Sequence, residues 1–363
     1  MPRLTVAWVL VAFAGCSQSS SPLDANWPRL DHGVDQAADQ AVDQAQDQTV
    51  GDQTLDCPVG DLGSGVGWRV AHVAGAALRG VACVEGHLFA AGDKGTLLHR
   101  APQSGLCSGF VQQSVPTTSD LLTVAFADAT YGATAGKDPN IWSTTNLGDT
   151  WGVATQCGSV KFGAFHDLKL YSSTKGFGAG EVTSSTGAYK IFANTTAGVK
   201  WICPDQTFTN QVFYGTFRQG DSAWLVGDTK GLMYYTPDEA VTWFTTTADT
   251  EKALRAVTFT SGGIGVAVGD EGVILRTEDG MAWDKVMTLG TDDLHDVFFW
   301  DDKLGWAVGE SGTILQSGDG GKSWTYQSAP TSERLEGVCF TSATEGWIVG
   351  DGGSILATTS GGG

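Results

Sequence analysis

This 363-residue sequence predicts an all-β fold: a seven-bladed β-propeller of four-stranded blades, with an N-terminal strand closing the last blade. Three observations predict it. First, a phrase of small or apolar residues, then Gly, then a polar turn recurs at Gly92, Gly136, Gly180, Gly227, Gly269, Gly309 and Gly350, at spacings of 40 to 47 residues. Such a period marks a stacked or radial repeat architecture. Second, an apolar anchor stands fourteen or fifteen residues before each Gly: Leu78, Leu121, Phe165, Val212, Leu254, Leu294 and Leu335. Third, each repeat reads as four short β-rich runs, as in 294–299, Gly305–Gly309, Thr313–Gln316 and the run after Trp324. Four strands per repeat make one propeller blade.

Residues 1–15 read as a secretory signal. Arg3 supplies the positive n-region, and the apolar run Leu4–Ala14 is too short to span a bilayer. The run ends in Phe13-Ala14-Gly15-Cys16, which resembles a bacterial lipobox with Phe13 where Leu is usual. Cys16 is then the lipid anchor. Ser17 after it resembles outer-membrane routing, so the expectation is an outer membrane lipoprotein, periplasmic or cell-surface.

Residues 16–61 read as a disordered Asp/Gln-rich linker, with Asp-Gln recurring at Asp35, Asp39, Asp43, Asp47 and Asp52. Four-residue spacing would stack like charges on a helix face, and the segment has too few large apolar residues to offset its ordering entropy. Residues 62–363 are the propeller.

The last element of a repeat follows S-x-D-x-G-x-x-W at Ser317–Trp324 and, with Thr first and one residue fewer, at Thr277–Trp283. Looser versions stand before Trp151, Trp201 and Trp243. Asp and Ser satisfy backbone donors in a tight turn, Gly supplies positive φ, and Trp buries a ring. The seventh repeat stops at Thr358-Thr-Ser-Gly-Gly-Gly363, where this element begins, while Trp68–Val73 precedes the first repeat. The N-terminal run therefore supplies the missing strand and removes an open edge.

Net charge is -19. Nine Asp and two Arg fall in residues 1–61, which leaves -12 for residues 62–363. No Lys/Arg run supplies the basic footprint that phosphate binding needs, so nucleic acid is not an expected partner. Six cysteines beyond Cys16 (Cys57, Cys83, Cys107, Cys157, Cys203 and Cys339) suggest disulfides in an exported chain. Six allow 15 pairings, of which Cys83–Cys107 is the most local.

The pattern GWAVG-x-x-GTIL followed by the Asp-box turn resembles the propellers of photosystem II assembly and stability factors, and the wider BNR/Asp-box superfamily. That resemblance covers about residues 64–363 and implies a non-catalytic scaffold. Known members bind a nascent membrane protein through a basic patch. The seven arginines here, Arg69, Arg79, Arg100, Arg218, Arg255, Arg276 and Arg334, form no comparable cluster in sequence. The alternative is an Asp-box glycoside hydrolase, sialidase-like or otherwise carbohydrate-active. It needs an arginine triad, or two carboxylates about 5–10 Å apart; no residue is singled out for either role.

A ring of chemically varied residues follows the anchors: Arg79-Gly80, Leu122-Thr123, His166-Asp167, Phe213-Tyr214, Arg255-Ala256, His295-Asp296 and Glu336-Gly337. Equivalent positions of every blade converge near the propeller axis. Arg79, His166, Tyr214, Arg255, His295 and Glu336 are the candidate ligand contacts, for a protein or glycan partner. The two His-Asp pairs sit on blades three and six, nearly opposite, so no metal or cofactor is expected. A second ring, Asp93, Asp138, Glu181, Asp228, Asp270, Glu310 and Asp351, follows the repeated Gly and should lie on the same face. The polar segment Glu181–Tyr189 reads as the longest loop of that face.

Overall fold

The structure is a computed structural model. It describes residues 67–363 apart from 155–161, 173–174, 183–187, 197–199, 203–207, 210–211, 220–221, 229, 239–240, 249 and 287–289. The predicted signal, Cys16 and the linker lie outside the described residues, as do Cys57, Cys157 and Cys203.

The described chain folds into antiparallel sheets, one per repeat, which together make an all-β propeller. The first sheet comprises Leu78–Val84, His87–Gly92, Leu97–Arg100 and Phe110–Gln112. The second comprises Leu121–Phe126, Gly132–Gly136, Trp142–Thr144 and Gly152–Val153. The fourth comprises Phe213–Gln219, Ser222–Gly227, Leu232–Thr236 and Phe244–Thr247. The fifth comprises Leu254–Phe259, Gly265–Gly269, Ile274–Thr277 and Asp284–Val286. The sixth comprises Leu294–Phe299, Gly305–Gly309, Ile314–Ser317 and Thr325–Gln327. In the seventh, Leu335–Phe340, Gly346–Gly350 and Ser354–Thr358 are joined by Arg69–Val73 from the start of the described chain.

The third sheet departs from the expected four strands. To Phe162–Ser172, Lys175–Val182, Ala188–Thr196 and Lys200–Ile202 it adds a fifth strand, Phe208–Thr209, paired with the third. Four-stranded sheets therefore number six. Of the expected loop Glu181–Tyr189, the end residues Glu181 and Tyr189 are partners in a ladder, and 183–187 lie outside the described residues.

The first strand of each sheet touches the first strands of the sheets before and after it, and the seventh touches the first. These strands therefore surround the axis. The repeated Gly owes its place to close approach. A Cβ at Gly92, Gly136, Gly227, Gly269, Gly309 or Gly350 would lie 1.8 to 2.3 Å from the carbonyl oxygen before the anchor. That same carbonyl accepts the next N–H, as in Asp270 N–H to the Ala253 oxygen at 3.0 Å.

At Ser317–Trp324 the Ser317 hydroxyl donates to Asp319 (2.9 Å) and accepts from Gly321 N–H (2.9 Å), while Asp319 accepts from Ser323 N–H (2.9 Å). Gly320 and Gly321 hold φ of 74° and 79°. The turn carbonyl also latches neighbouring sheets. Trp224 Nε1 donates to the Gly280 oxygen and Trp306 Nε1 to the Gly361 oxygen, each at 3.0 Å.

The local Cys83–Cys107 bridge is not formed. Cys83 bonds Cys339, 256 residues away, and Cys107 is disulfide-bonded as well. Spacing along the chain favoured the first sheet's own pair, but ring closure places the first strands of the first and seventh sheets side by side. The two Cα atoms are 5.7 Å apart, within disulfide reach.

Candidate functional site

Each first strand breaks register with its neighbour just after the anchor, and that of the third sheet breaks it at two further places. The shifts after the anchors fall between Leu78 and Gly80, Leu121 and Thr123, Phe165 and Asp167, Phe213 and Gly215, Leu254 and Ala256, Leu294 and Asp296, and Leu335 and Gly337. An extra residue in one strand re-aims a side chain and sharpens the local twist. Those extra residues are Arg79, Leu122, His166, Tyr214, Arg255, His295 and Glu336. All of them line a single cavity of about 530 Å³ along the axis. The structure thus brings together all six candidate contacts, Arg79, His166, Tyr214, Arg255, His295 and Glu336. The fourth anchor is corrected: Phe213, 2% exposed and paired with Gly227, holds the anchor place assigned to Val212, because that connection is one residue shorter.

The first-strand ring and the acidic turn ring meet through Arg79, Arg255 and His295. Arg79 donates to both oxygens of Asp93 (3.0 Å each), to Glu336 (2.8 Å) and to Asp351 (2.8 Å). The Asp93 hydrogen bond, reinforced by Glu336 against the cost of burial, raises the Arg79 pKa. Arg334 reaches Glu336 at 3.1 Å, Asp351 at 3.2 Å and Glu310 at 3.8 Å. His295 Nε2 lies 3.2 Å from Glu310. Arg255 donates to Asp270 at 2.7 Å and stacks 4.4 Å over the Tyr214 ring. Against desolvation, the Asp270 bond raises its pKa. His166 meets Tyr214 edge-on, with centroids 5.9 Å apart.

One residue further along, side chains reach the next sheet. Thr123 Oγ1 accepts Leu168 N–H at 3.2 Å, and Asp167 accepts Thr216 N–H at 2.9 Å. Asp296 accepts Val338 N–H at 2.9 Å with one oxygen and Val297 N–H at 2.9 Å with the other. These carboxylates satisfy N–H groups that face the axis, where no strand can pair with them. At Gly80, Gly215 and Gly337 the next sheet lies too close for a side chain: a Cβ would approach it to 3.0 Å or less.

Sequence reasoning missed Lys169 and Arg334. Lys169 stands where the equivalent residues are Ala82, Ala125, Phe217, Thr258, Phe298 and Cys339. A lone Lys in an otherwise uncharged position was the available signal. It lies deep in the molecule yet keeps 43% of its side-chain surface, because it projects into the cavity. Its Nζ is 3.5 Å from Asp167. The attraction of Asp167, and then of Asp296, raises its pKa against desolvation. Burial pushes Asp296 up to about 6, although Lys169 and the two N–H donors pull the other way. Among the described residues no group of three metal-ligating side chains comes together.

The Asp296 shift carries a pH prediction. A carboxyl that binds its proton more tightly when folded loses stability as pH rises between its unfolded value and about 6. Two units correspond to roughly 3 kcal/mol at most. The cost of Asp296→Asn should therefore shrink by up to that amount between pH 4 and pH 7. Urea unfolding of both proteins at both pH values measures it, and a pH-independent cost would refute the assignment.

The fold and the turn chemistry define a β-propeller of BNR type. Residues 276–363 match the family described as photosynthesis system II assembly factor YCF48, and the chain resembles that family. Two solved structures are similar over most of the chain. YCF48 from Cyanidioschyzon merolae aligns with 16% identity and TM-score 0.63, covering 80% of this chain and 98% of that one. YCF48 bound to D1 peptide aligns with 17% identity and TM-score 0.64, covering 81% and 95%. The WD40 repeats of RRP9 match as well in shape, with TM-score 0.65 and 12% identity, covering 81% and 97%. At these identities the likeness is one of fold. No curated protein matches the chain significantly.

Proposed function

We propose that the chain is a non-catalytic, assembly-factor-like binding protein. Its sheets act as one closed seven-bladed ring, and the mouth of the axial cavity takes a protein partner. One observation carries this reading: the charged groups at the mouth are already bonded to each other. Arg79, Arg255 and Arg334 each hold carboxylates of this chain, so among the described residues these three form no open arginine triad for a substrate acid. Asp167 and Asp296 accept backbone N–H groups, which ties both to the scaffold rather than to acid–base chemistry. A rigid, pre-bonded rim suits recognition, where ordered side chains lose little entropy on binding. The YCF48 structure with a bound D1 peptide supports a protein partner over a glycan.

In this reading the domain sits at the outer membrane, tethered through lipid on Cys16 and the linker 16–61. Capture from envelope extracts tests both parts. The full chain should retain a partner that is lost with Arg255→Ala/His295→Ala at unchanged melting temperature. Cys16→Ala should move the protein into the soluble fraction. Retention by the mouth variant, with loss on substituting the opposite face, would sink the site. A Cys16→Ala protein that stays on carbonate-washed membranes would sink the anchor.

A further inference from the structure

The mouth of the cavity has two unlike arcs. From the fifth sheet through the sixth and seventh to the first, the rim is ionic: Arg255–Asp270, then His295, Glu310, Arg334, Glu336, Asp351, Arg79 and Asp93 in one connected chain. On the second, third and fourth sheets the corresponding residues are Leu122, His166 and Tyr214, all half-buried and all facing the cavity. The arcs meet where Arg255 stacks on Tyr214.

The ionic arc is unbalanced. Five carboxylates (Asp93, Asp270, Glu310, Glu336 and Asp351) face three guanidiniums and the His295 imidazole. Glu310 is the most loosely held, with His295 at 3.2 Å and Arg334 at 3.8 Å, and is 39% exposed. Beneath the rim the imbalance repeats, with Asp167 and Asp296 around Lys169. Narrow, low-dielectric openings lined with one excess sign focus the field on an incoming counter-charge. A cation is therefore favoured at the ionic arc. Across the same opening, the Leu122–His166–Tyr214 arc offers apolar and aromatic surface for a bulky side chain.

We propose that the mouth binds an extended protein segment carrying a bulky apolar or aromatic residue next to lysine or arginine. The apolar residue lies against Leu122, His166 and Tyr214, and the cation beside Glu310 and Glu336. This deepens the reading that the mouth binds protein, and it specifies the partner's chemistry.

The test uses the full chain and three end-capped synthetic octapeptides in a glycine background. One carries tryptophan flanked by lysines, one replaces the lysines with glutamates, and one replaces the tryptophan with alanine. Binding is followed by calorimetry at low and moderate salt. The lysine–tryptophan peptide should bind at least ~10-fold more tightly than either control and weaken with salt. Tyr214→Ala should erase the preference for tryptophan but keep that for lysine. Glu310→Gln/Glu336→Gln should do the reverse. Equal or tighter binding of the glutamate peptide would overturn the proposal, as would absence of binding by all three. If the captured envelope partner still depends on Arg255 and His295 in that case, the protein-binding reading survives and only the partner's stated chemistry falls.

Discussion

Replacing residues 68–73 with glycine and serine should unfold this domain or leave it aggregating at ambient temperature. The six residues hold the seventh sheet's outer strand, and most of the energy lies in three of them. Trp68 is 7% exposed, packs edge-on against Phe340 at 5.8 Å, and donates from Nε1 to Gln327 at 2.7 Å. Ala71 is 1% exposed, and His72 stacks on Phe110 of the first sheet at 4.7 Å. Loss of a buried Trp side chain alone costs about 3–5 kcal/mol. Removal of the strand also strips Ser354–Thr358 of its ladder from Arg69↔Ala357 to Val73↔Ser354. An unpaired edge at the seam then templates association with another chain. The total is comparable with the whole stability of a typical domain, about 5–15 kcal/mol. Trp68→Ala should show the lesser effect in a soluble protein, with a melting temperature lower by roughly 10 °C. A strand replacement that melts within a few degrees of wild type would show that this pairing does not hold the ring.

The geometry of the candidate site was legible because it depends on register. Every repeat has the same anchor-to-Gly interval within one residue, so the residue after each anchor falls on the same bulge and faces the same cavity. Repetition makes such positions readable without knowledge of any contact. The chemistry of the site was less legible, because it depends on the reach of side chains across sheets. Arg79 bonds carboxylates 14, 257 and 272 residues away, and only ring closure makes the last two neighbours. Two rings that stand apart along the sequence meet in the fold, where Arg79 is the counter-ion of Asp93 and Asp351, and Arg255 that of Asp270. Lys169 escaped notice because one substitution inside a strand resembles drift until the cavity around it is seen. The third sheet was least readable for a related reason. Its strands outlast the repeat's usual lengths, and a fifth strand has no counterpart in the other repeats.

Removal of the Cys83–Cys339 bridge should produce the second large effect, of a different kind. The bond links the first strands of the first and seventh sheets and closes a loop of 256 residues. In the chain-entropy account a cross-link stabilises by restricting the unfolded chain, and a loop of this length sits at the upper end, about 5 kcal/mol. The folded seam needs little from the bond, because Leu78, Leu88 and Ala90 already pack against Trp347, Val349 and Ile355 in one buried cluster. Cys83→Ala/Cys339→Ala should therefore keep the native fold and the cavity, with unchanged circular dichroism and peptide binding. Its urea midpoint should fall by an amount worth roughly 2–5 kcal/mol. The paired substitution is preferable to a reducing agent, which would also cleave the bond at Cys107. An effect through the unfolded state has a kinetic signature: folding slows while unfolding changes little, because the cross-link's contribution is largely present once the ends have met. A variant that unfolds much faster but refolds at the wild-type rate would instead show that the two strands meet only after the folding transition state. Unchanged stability would mean that the strand Arg69–Val73 and the buried cluster close the ring without it.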